Sequence, residues 1–268
     1  MKVGNHKILC FYVVFKFLCR VHVNIISYMS TTRIFCKHIE PIWQKKTLGQ
    51  PEKQVDIWKV SVQDYNLIPE NILSKDELLK AARFLHSKDR ASFVSRRAAL
   101  RILLSRYTDI SPSRIEFIAG KNKKPELRSE LNTIRFNVSH SSELILIAIS
   151  DTEIGVDIER IEPSFNYSDI LRHSFSEQEI NHIKQAADSR DFFFRLWTRK
   201  EALAKASSKG LDDELRNIPC LDGWHNVNEE LIRLSGSWQL QSFNIDHEYI
   251  ASIACPAEKG LNYLYFEF

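Results

Sequence analysis

The stretch Gly155-Val156-Asp157-Ile158-Glu159 (GVDIE), in the middle of the 268-residue chain, decides how the rest of the sequence is interpreted. Its alternation of apolar and acidic residues predicts a β-strand, in which successive side chains leave opposite faces. Asp157 and Glu159 are then expected on one face, with Val156 and Ile158 toward the core. Two carboxylates this close repel each other and suit a hard cation such as magnesium. On spacing alone, a solvated acidic pair is the commoner explanation, by roughly two to one.

Strand and helix patterns lie on both sides of this stretch and predict an α+β fold. Strand patterns occur at residues 55–62, 134–138, 144–149, 154–158, 238–243, 249–254 and 263–268. The capping boxes Ser74-x-x-Glu77 and Ser176-x-x-Glu179 each predict the start of a helix. Two further helix patterns cover residues 88–107 and 191–208, the second with Gly210 as its expected stop. A turn signal near residue 150 divides the chain. We expect an N-terminal extension at 1–50, an N-terminal lobe at 51–150 and a C-terminal lobe at 151–268.

Composition and charge narrow the class of protein. Hydrophobic residues make up 44% of the chain and charged residues 26%, as in ordinary globular proteins. The net charge is +3, but the first 39 residues contain no acid and carry +6, which leaves the remainder at about −3. A body with this charge disfavours nucleic acid as the main partner. The five cysteines include no C-x-x-C pair, which fits reduced thiols in a cytosolic protein.

The first forty residues allow more than one explanation. Ile8 to Phe15 is apolar, but Lys16 and Arg20 follow, so the segment is too short and too charged for a membrane span or a secretory signal. An acid-free, basic start fits an organelle transit peptide. The plainer alternative is that translation starts at Met29, the only methionine after Met1.

A helical stretch, Trp197 to Ala206 (WTRKEALAKA), supplies a second group of charged residues. Glu201 and Lys205 are four residues apart and therefore share one face of the helix. The glutamate could complete a metal site or act as a base, while the lysine contacts a phosphate. An ordinary surface pair, contributing only ~0.2–0.5 kcal/mol, explains the spacing equally well.

Two further stretches carry polar residues that could contact a ligand. Phe136 to Ser141 (FNVSHS) contains Ser139 and His140, but these neighbours point apart on a strand, and the G-x-S-x-G elbow of hydrolases is absent. A phosphate contact and an ordinary polar strand end both remain open. Gly120 to Pro125 (GKNKKP) is a basic turn without a Walker pattern, which is typical of a solvated loop.

Taken in order, these fragments resemble the 4′-phosphopantetheinyl transferase superfamily, in its two-lobed surfactin-synthetase-activating type. The resemblance runs from about Val55 to the C-terminus. Its fragments are RFLHSKDR at 83–90, KPEL at 124–127, FNVSHS at 136–141, GVDIE at 155–159, FSEQE at 175–179 and WTRKEALAK at 197–205. Each fragment alone is weak, whereas the ordered set is specific. The set therefore favours a functional role for Asp157, Glu159 and Glu201 over a solvated acidic pair or an ordinary surface ion pair.

The resemblance implies a fold and an activity. The fold is a monomer of two similar lobes related by a pseudo-twofold, with coenzyme A in the cleft between them. The activity is that of a holo-[acyl-carrier-protein] synthase, which moves 4′-phosphopantetheine from coenzyme A to a serine of an acyl or peptidyl carrier protein and releases 3′,5′-ADP. A cytoplasmic enzyme without nucleic-acid or membrane partners is expected.

The resemblance also implies roles for particular residues. The residues matched to magnesium are Asp157, Glu159 and Glu201. The residues matched to the neighbourhood of the coenzyme A phosphates are Lys80, Arg90, Lys124, Pro125, Ser139, His140 and Lys205. Glu201 is expected to act as general base, Lys205 to stabilise phosphate charge, and Asp157 to serve the reaction through the metal.

The sequence departs from the family pattern at two positions. Lys123 stands where the family usually has glycine before Lys-Pro. Lys80 stands where arginine is frequent, so a point charge replaces a bidentate contact with phosphate.

Two rival functions are considered for the same residues. One rival is a module that binds coenzyme A without turnover, which would not need three acids. The other is a magnesium-dependent nuclease, which the negative body disfavours.

Overall fold

The protein is described here by a computed structural model, whose described residues are 30–45, 54–62, 70–128, 134–210, 214–258 and 261–268. The alternatives for the N-terminus, a transit peptide or a start at Met29, concern residues 1–29, which lie outside the described residues. Within the described ranges, no helix is long and apolar enough to cross a membrane.

Strands and helices are mixed along the described ranges, which confirms the predicted α+β class. The strands are β1 (Thr31–His38), β2 (Trp43–Gln44), β3 (Gln54–Ser61), β4 (Phe117–Ala119), β5 (Pro125–Leu127), β6 (Arg135–Ser141), β7 (Leu144–Ser150), β8 (Gly155–Arg160), β9 (Gly223–Asn228), β10 (Ser237–Ile245), β11 (Tyr249–Pro256) and β12 (Asn262–Glu267). The helices are α1 (Lys75–Ala81), α2 (Ser87–Thr108), α3 (Ser168–Ser174), α4 (Glu177–Gln185), α5 (Ser189–Ser207) and α6 (Glu229–Ile232). Every predicted strand and helix is present, with small shifts at its ends.

Two five-stranded sheets and one small hairpin, β4–β5, organise the described strands. The first sheet has the order β8-β11-β10-β1-β9, and the second has the order β2-β12-β3-β7-β6. The two ends of the chain are exchanged between these sheets. β1 joins the sheet built otherwise from residues after 150, and β12 joins the sheet built otherwise from residues before 150. The boundary predicted near residue 150 falls between β7 and β8, while β12 pairs in the sheet of the preceding residues.

β1 gives part of the extension predicted at residues 1–50 a place in the fold. It lies inside the first sheet, parallel to β10 on one side and antiparallel to β9 on the other. Thr32, Ile34 and Cys36 are buried, with at most 1% of each residue exposed. Ile34 and Cys36 pack in the same core cluster as Ala202 of α5, so this strand supports the helix that carries Glu201.

The capping box that begins α1 continues into a buried ion pair. Ser74 Oγ accepts from the backbone N–H of Glu77, and Glu77 Oε2 accepts from the backbone N–H of Ser74. The same Glu77 oxygen accepts from Arg101 Nε of α2 at 2.8 Å. Arg101 Nη1 donates to the carbonyl oxygens of Pro112 and Ile115, each at 2.8 Å. This network fixes α1, α2 and the following turn together.

A matching network begins at the second predicted capping box. Ser176 and Glu179 cap α4 reciprocally, and Glu179 Oε2 also accepts from Lys200 Nζ of α5 at 3.0 Å. Lys200 Nζ donates further to the carbonyl oxygens of Leu215 at 3.0 Å and Ile218 at 2.6 Å. Lys200 is fully buried. Its anchoring fixes the rotation of α5 about its axis, which sets the direction of the next residue, Glu201.

The C-terminal end of α5 differs from the prediction. Ser208, rather than Gly210, takes the left-handed conformation that ends the helix, with φ = 53°. Gly210 follows two residues later with φ = 80°. The helix therefore ends before the predicted stop at Gly210, because Ser208 adopts the left-handed conformation that was expected of the glycine.

Candidate functional site

The site begins where β8 and α5 approach each other at Gly155. A Cβ atom at this position would lie 2.0 Å from the carbonyl oxygen of Ala202 and 2.4 Å from the backbone nitrogen of Ala206. Both neighbours are backbone atoms of α5, which cannot move away as a flexible side chain can. Glycine is therefore required for this close approach, which places the carboxylates of β8 beside the charged face of α5.

Asp157 lies at the centre of the site and joins three elements. Its Oδ1 accepts from Lys205 Nζ of α5 at 2.6 Å and from Ser139 Oγ of β6 at 2.8 Å. Lys205 Nζ also donates to Ser139 Oγ at 2.9 Å, which closes a triangle. Burial raises the pKa of Asp157, although the Lys205 charge and the hydrogen bonds oppose that rise. The structure thus brings together three of the predicted site residues.

The edges of the two sheets meet at this triangle. The backbone N–H of Val156 on β8 donates to Asn137 Oδ1 on β6 at 2.8 Å. Two residues further along both strands, Ser141 Oγ donates to Glu159 Oε2 at 3.1 Å. The side chains of Asn137, Ser139 and Ser141 therefore follow β8 along its length, as the period of two in a strand requires.

The other two predicted acids share the electrostatic field of Asp157. The pKa of Glu201 is raised to about 7, mainly by burial and next by the Asp157 charge, while Lys205 opposes the rise and Glu159 adds a smaller upward effect. The pKa of Glu159 is raised by burial and then by the Asp157 charge. All three carboxylates are therefore held in a place where their negative charges are mutually unfavourable.

The acids fit a magnesium ion in their donor chemistry. Asp157 Oδ2 is a buried carboxylate oxygen that has no hydrogen-bond partner among the described residues. In the described part of the chain, however, no three His, Cys, Asp or Glu side chains form a ready-made metal centre. Magnesium commonly takes one or two protein carboxylates and completes its shell with substrate phosphate and water. The residues therefore fit an ion that binds together with a phosphate-bearing substrate.

A cavity of about 240 Å³ opens beside Glu201 and Lys205. Three lysines of the basic turn, Lys121, Lys123 and Lys124, also line it. Four cations against one carboxylate make this cavity suited to an anion. Pro125 of the predicted Lys-Pro pair also lines it. The predicted residues Lys124, Pro125, Glu201 and Lys205 are thus brought to a single cavity.

Lys124 is held in the wall of this cavity by its neighbours. Its Nζ donates to the carbonyl oxygen of Ile154 at 3.0 Å and lies 3.8 Å from a Glu153 carboxylate oxygen. Burial lowers the pKa of Lys124, while the charge of Glu153 acts in the opposite direction. The ammonium group is thereby fixed just before the start of β8.

The turn that contains Lys121 and Lys123 has an unusual backbone and a contact to α5. Asn122 and Lys123 both have positive φ, 51° and 63°. The side chain of Asn122 donates to the carbonyl oxygens of Ser208 and, at 3.2 Å, Lys209. The turn therefore closes against the C-terminal end of α5. Lys123 adopts the left-handed conformation at the position where the resemblance leads one to expect glycine.

His140 lies at the exposed end of β6 and contacts a residue that the sequence did not single out. Its Nε2 is in hydrogen-bond contact with Arg96 Nη1 of α2. The pKa of His140 is lowered to about 4, mainly by burial among its neighbours and then by the charges of Arg96 and Lys205. The helix pattern over residues 88–107 identified only apolar core positions, so Arg96 gave no signal of its own.

Two predicted phosphate-contacting residues lie elsewhere. Lys80 is exposed on α1, in a separate groove of about 520 Å³ that Arg83 and Phe84 also line, with Nζ 5.4 Å from the centre of the Phe93 ring. Arg90 is exposed near the start of α2. Neither residue lines the cavity beside Lys205.

Comparisons with known proteins indicate the family of the chain. A family model described as the 4′-phosphopantetheinyl transferase superfamily matches residues 153–254, and one described as the N-terminal part of 4′-phosphopantetheinyl transferases matches residues 56–152. A putative 4′-phosphopantetheinyl transferase of Synechocystis is 35% identical over 171 residues, which cover 62% of this chain and 69% of the relative.

Two further relatives carry the same name. The 4′-phosphopantetheinyl transferase HetI of Nostoc is 31% identical over 166 residues, 59% of this chain and 70% of that protein. The Bacillus subtilis enzyme Sfp is 29% identical over 143 residues, 53% of this chain and 62% of that protein. The resemblance that the motifs indicated is therefore confirmed: the chain belongs to the 4′-phosphopantetheinyl transferase superfamily, in its Sfp-like type.

Proposed function

We propose that this transferase moves the 4′-phosphopantetheine moiety of coenzyme A to a serine hydroxyl of an apo acyl or peptidyl carrier protein, releases 3′,5′-ADP and requires magnesium. The observation that carries the proposal is the contact of Asp157 with Lys205 and Ser139, next to Glu201 and the lysine-lined cavity. A pyrophosphate needs cations around it, and phosphoryl transfer needs charge stabilisation close to acidic residues.

Lys124 and Lys205 are the residues that would hold the pyrophosphate. They line the same cavity, and each is already fixed by a hydrogen bond to a neighbouring group. Fixed cations stabilise the charge of a phosphate without reorganising during the reaction. Ser139 would orient Lys205, because its hydroxyl accepts from Lys205 and donates to Asp157.

Glu201 is the residue that we assign as general base. With a pKa of about 7, a substantial fraction of this carboxyl group is ionised at neutral pH, and the ionised form is basic enough to accept a proton. The attacking hydroxyl belongs to the carrier serine, so the chain itself needs no nucleophile. Glu201 lies at the cavity beside Lys205, where a hydroxyl approaching the phosphate would meet it.

Asp157, Glu159 and Glu201 are the residues that would hold magnesium. When bound, the ion neutralises negative charge on the phosphate oxygens. The unpartnered Asp157 Oδ2 and the raised pKa values of all three acids support this assignment. Asp157 in addition holds Lys205 through its other oxygen, Oδ1.

The proposal includes two similar lobes related by a pseudo-twofold, with the active site between them. Support comes from the two capping networks, Glu77 with Arg101 and Glu179 with Lys200. In each, a capping-box glutamate pairs with a buried cation of the next long helix, and that cation donates to two carbonyl oxygens of a following 3₁₀ turn. Such repetition is expected of two lobes with one ancestral plan. The monomeric state, the cytoplasmic location and the absence of nucleic-acid and membrane partners stay predictions.

The experiment that tests the function is incubation of the full chain with coenzyme A, magnesium and several purified apo carrier proteins. The expected result is a mass gain on a carrier and the appearance of 3′,5′-ADP, both lost when EDTA replaces magnesium. An Asp157→Asn variant, which keeps the shape of the side chain, is the matched inactive control. Binding of coenzyme A without any mass gain would favour the rival binding module and contradict the proposal.

A further inference from the structure

The basic turn that lines the cavity is the tip of the small hairpin β4–β5. In the described part of the chain, these two strands pair only with each other. Backbone hydrogen bonds close the turn on itself: the N–H of Gly120 donates to the carbonyl oxygen of Lys124 at 2.8 Å, and the N–H of Lys124 donates to that of Lys121 at 3.1 Å. The position of the tip over the cavity therefore depends on side chains that reach across to other elements.

Asn122, at the tip of the turn, reaches across to the end of α5. Its side-chain amide donates to the carbonyl oxygen of Ser208 and, at 3.2 Å, to that of Lys209. Carbonyl oxygens only accept hydrogen bonds, so the amide nitrogen of Asn122 faces α5. Asn122 also lines the cavity, together with Lys205. The contact thus joins a residue before the crossing from β7 to β8 to residues after it, at the edge of the cavity.

The accepting end of this contact is held firmly. The backbone N–H of Lys209 donates to the carbonyl oxygen of Ala204 at 3.2 Å. Lys209 Nζ donates to the carbonyl oxygen of Leu231 at 2.7 Å and to a Glu214 carboxylate oxygen at 2.9 Å. Carbonyl groups at the C-terminal end of a helix carry partial negative charge, which favours a donor such as an amide. Asn122 is therefore tied to a fixed point.

Asparagine meets two requirements at this position. Its backbone lies in the left-handed region, with φ = 51° and ψ = 35°, which asparagine enters more readily than most residues. Its short amide supplies the donor for the two carbonyl oxygens. Glycine would meet only the first requirement. Aspartate would also keep the backbone shape, but its carboxylate would repel both carbonyl oxygens.

Two lysines of the turn depend on Asn122 for their position. Lys124 and Lys205 are each held by hydrogen bonds of their own. The side chains of Lys121 and Lys123 line the same cavity, but they make no hydrogen bond or ion pair with any described residue. Both residues are direct neighbours of Asn122 in the chain. The place from which their charges reach the cavity is therefore set by the contact of Asn122 with α5.

We propose that Asn122 is a positioning residue, which holds the basic turn on the C-terminal end of α5 and thereby fixes Lys121 and Lys123 at the cavity. Cations that are in place before binding lose less conformational freedom when an anion arrives. Asn122 then contributes to binding of coenzyme A, through the two lysines, and not to the chemical step. This inference rests on the proposed function and adds to it a residue without charge.

The first test compares four full-length proteins: the wild type, Asn122→Gly, Asn122→Asp and Asn166→Asp. Asn166→Asp is the matched control, because this exposed residue undergoes the same change of charge. Its Oδ1 accepts from the backbone N–H of Ser168 at 3.0 Å, a contact that aspartate keeps. The measurements are the affinity for coenzyme A by calorimetry, the KM and kcat of carrier modification, and urea unfolding.

The second test asks whether Asn122 acts through the two lysines. Lys121→Gln and Lys123→Asn are combined to give a turn without these charges, since asparagine tolerates the left-handed backbone at position 123. The change Asn122→Gly is then made in this neutral turn. If Asn122 only positions the lysines, its replacement has nothing left to disturb, and the effects of the changes are not additive.

The expected results separate binding from chemistry. Asn122→Gly should weaken coenzyme A binding and raise its KM by about three- to tenfold, as for loss of an ordinary hydrogen bond, with kcat within about twofold of the wild type. Asn122→Asp should weaken binding by at least about tenfold, because repulsion is added. Asn166→Asp should behave as the wild type. In the neutral turn, Asn122→Gly should change KM by less than about twofold.

Four results would overturn the inference while leaving the proposed function in place. Equal KM and affinity of the wild type and Asn122→Gly would show that the contact positions nothing. A loss in Asn122→Gly that Asn122→Asp does not share would trace to backbone flexibility instead of the amide. A fall in kcat at unchanged KM, or a loss of the same size in the neutral turn, would show action by another route. A wild type that modifies no carrier would instead contradict the proposed function itself.

Discussion

Replacing Glu201 by glutamine should change the pH dependence of stability in a way that the structure fixes in sign. The pKa of Glu201 is about 7 in the folded chain, against an ordinary value of 4.5. Between these two pH values the folded chain binds more protons than the unfolded chain. The contribution of Glu201 to the stability of the metal-free wild type therefore falls as pH rises through this window, because ionising the carboxyl in the fold is unfavourable.

The size of the effect follows from the same shift. Each pKa unit corresponds to about 1.4 kcal/mol, so the full difference sets an upper limit of about 3 kcal/mol. Glu201 is partly exposed, and solvent screening reduces this to about 1–2 kcal/mol. Glu201→Gln cannot ionise. Near pH 4.5 the free energies of unfolding of Glu201→Gln and of the wild type should therefore differ only by an offset that does not depend on pH. At pH 8 the free energy of unfolding of Glu201→Gln should exceed that of the wild type by a further amount of about 1–2 kcal/mol.

Urea unfolding of both proteins at pH 5, 6, 7 and 8 in EDTA measures this difference, since all other titrating groups are shared. Adding magnesium at pH 8 should stabilise the wild type more than the variant. The kcat of Glu201→Gln should fall at least ~10²-fold, the low end for loss of a general base. A stability difference that does not change between pH 5 and pH 8 would refute the electrostatic reasoning. Near-normal turnover by the folded variant would refute the assigned base.

Three further predictions follow from particular contacts. Gly155→Ala should destabilise the fold by at least about 1–3 kcal/mol in urea unfolding and lower kcat, because the new Cβ meets the backbone of α5; unchanged values would contradict the close approach. Lys123→Gly should raise stability by up to about 1 kcal/mol, since it relieves a left-handed backbone. The same change should raise the KM for coenzyme A, since one cavity cation is lost, and a lowered melting temperature would argue against relief of strain. A chain that starts at Met29 should keep its activity, whereas one that also lacks Thr31–His38 should fail to fold by circular dichroism; an active shorter chain would show that β1 is dispensable.

The sequence predicted the regular elements well where local patterns decide them. Both capping boxes form as expected, because the hydrogen bonds of Ser74 with Glu77 and of Ser176 with Glu179 involve residues only three apart. The alternation around Asp157 produced the expected strand with one buried face. Local chemistry is sufficient for such features.

What the sequence missed depends on contacts between distant residues. The stretch TTRIFCKH of β1 does alternate, but it pairs with β10, some two hundred residues later, and it lies in an acid-free region without a motif. Arg96 is one of several arginines on α2, and only the packing of that helix against β6 brings it to His140. Lys80, which the resemblance matches to the phosphate contacts, lines a separate groove on α1, and its role stays a prediction.

The exchange of terminal strands shows how residues from both parts of the chain are held at one cavity. The chain crosses between the two sheets three times in the described ranges: from β1 to β2, from β7 to β8 and from β11 to β12. The cavity is lined by Lys124, which precedes the central crossing from β7 to β8, and by Lys205, which follows it. β1 shares a core cluster with Ala202 of α5, and β12 pairs with β3, so both terminal strands add buried contacts between the two parts of the chain. The relative position of Lys124 and Lys205 therefore depends partly on burial far from the site in sequence.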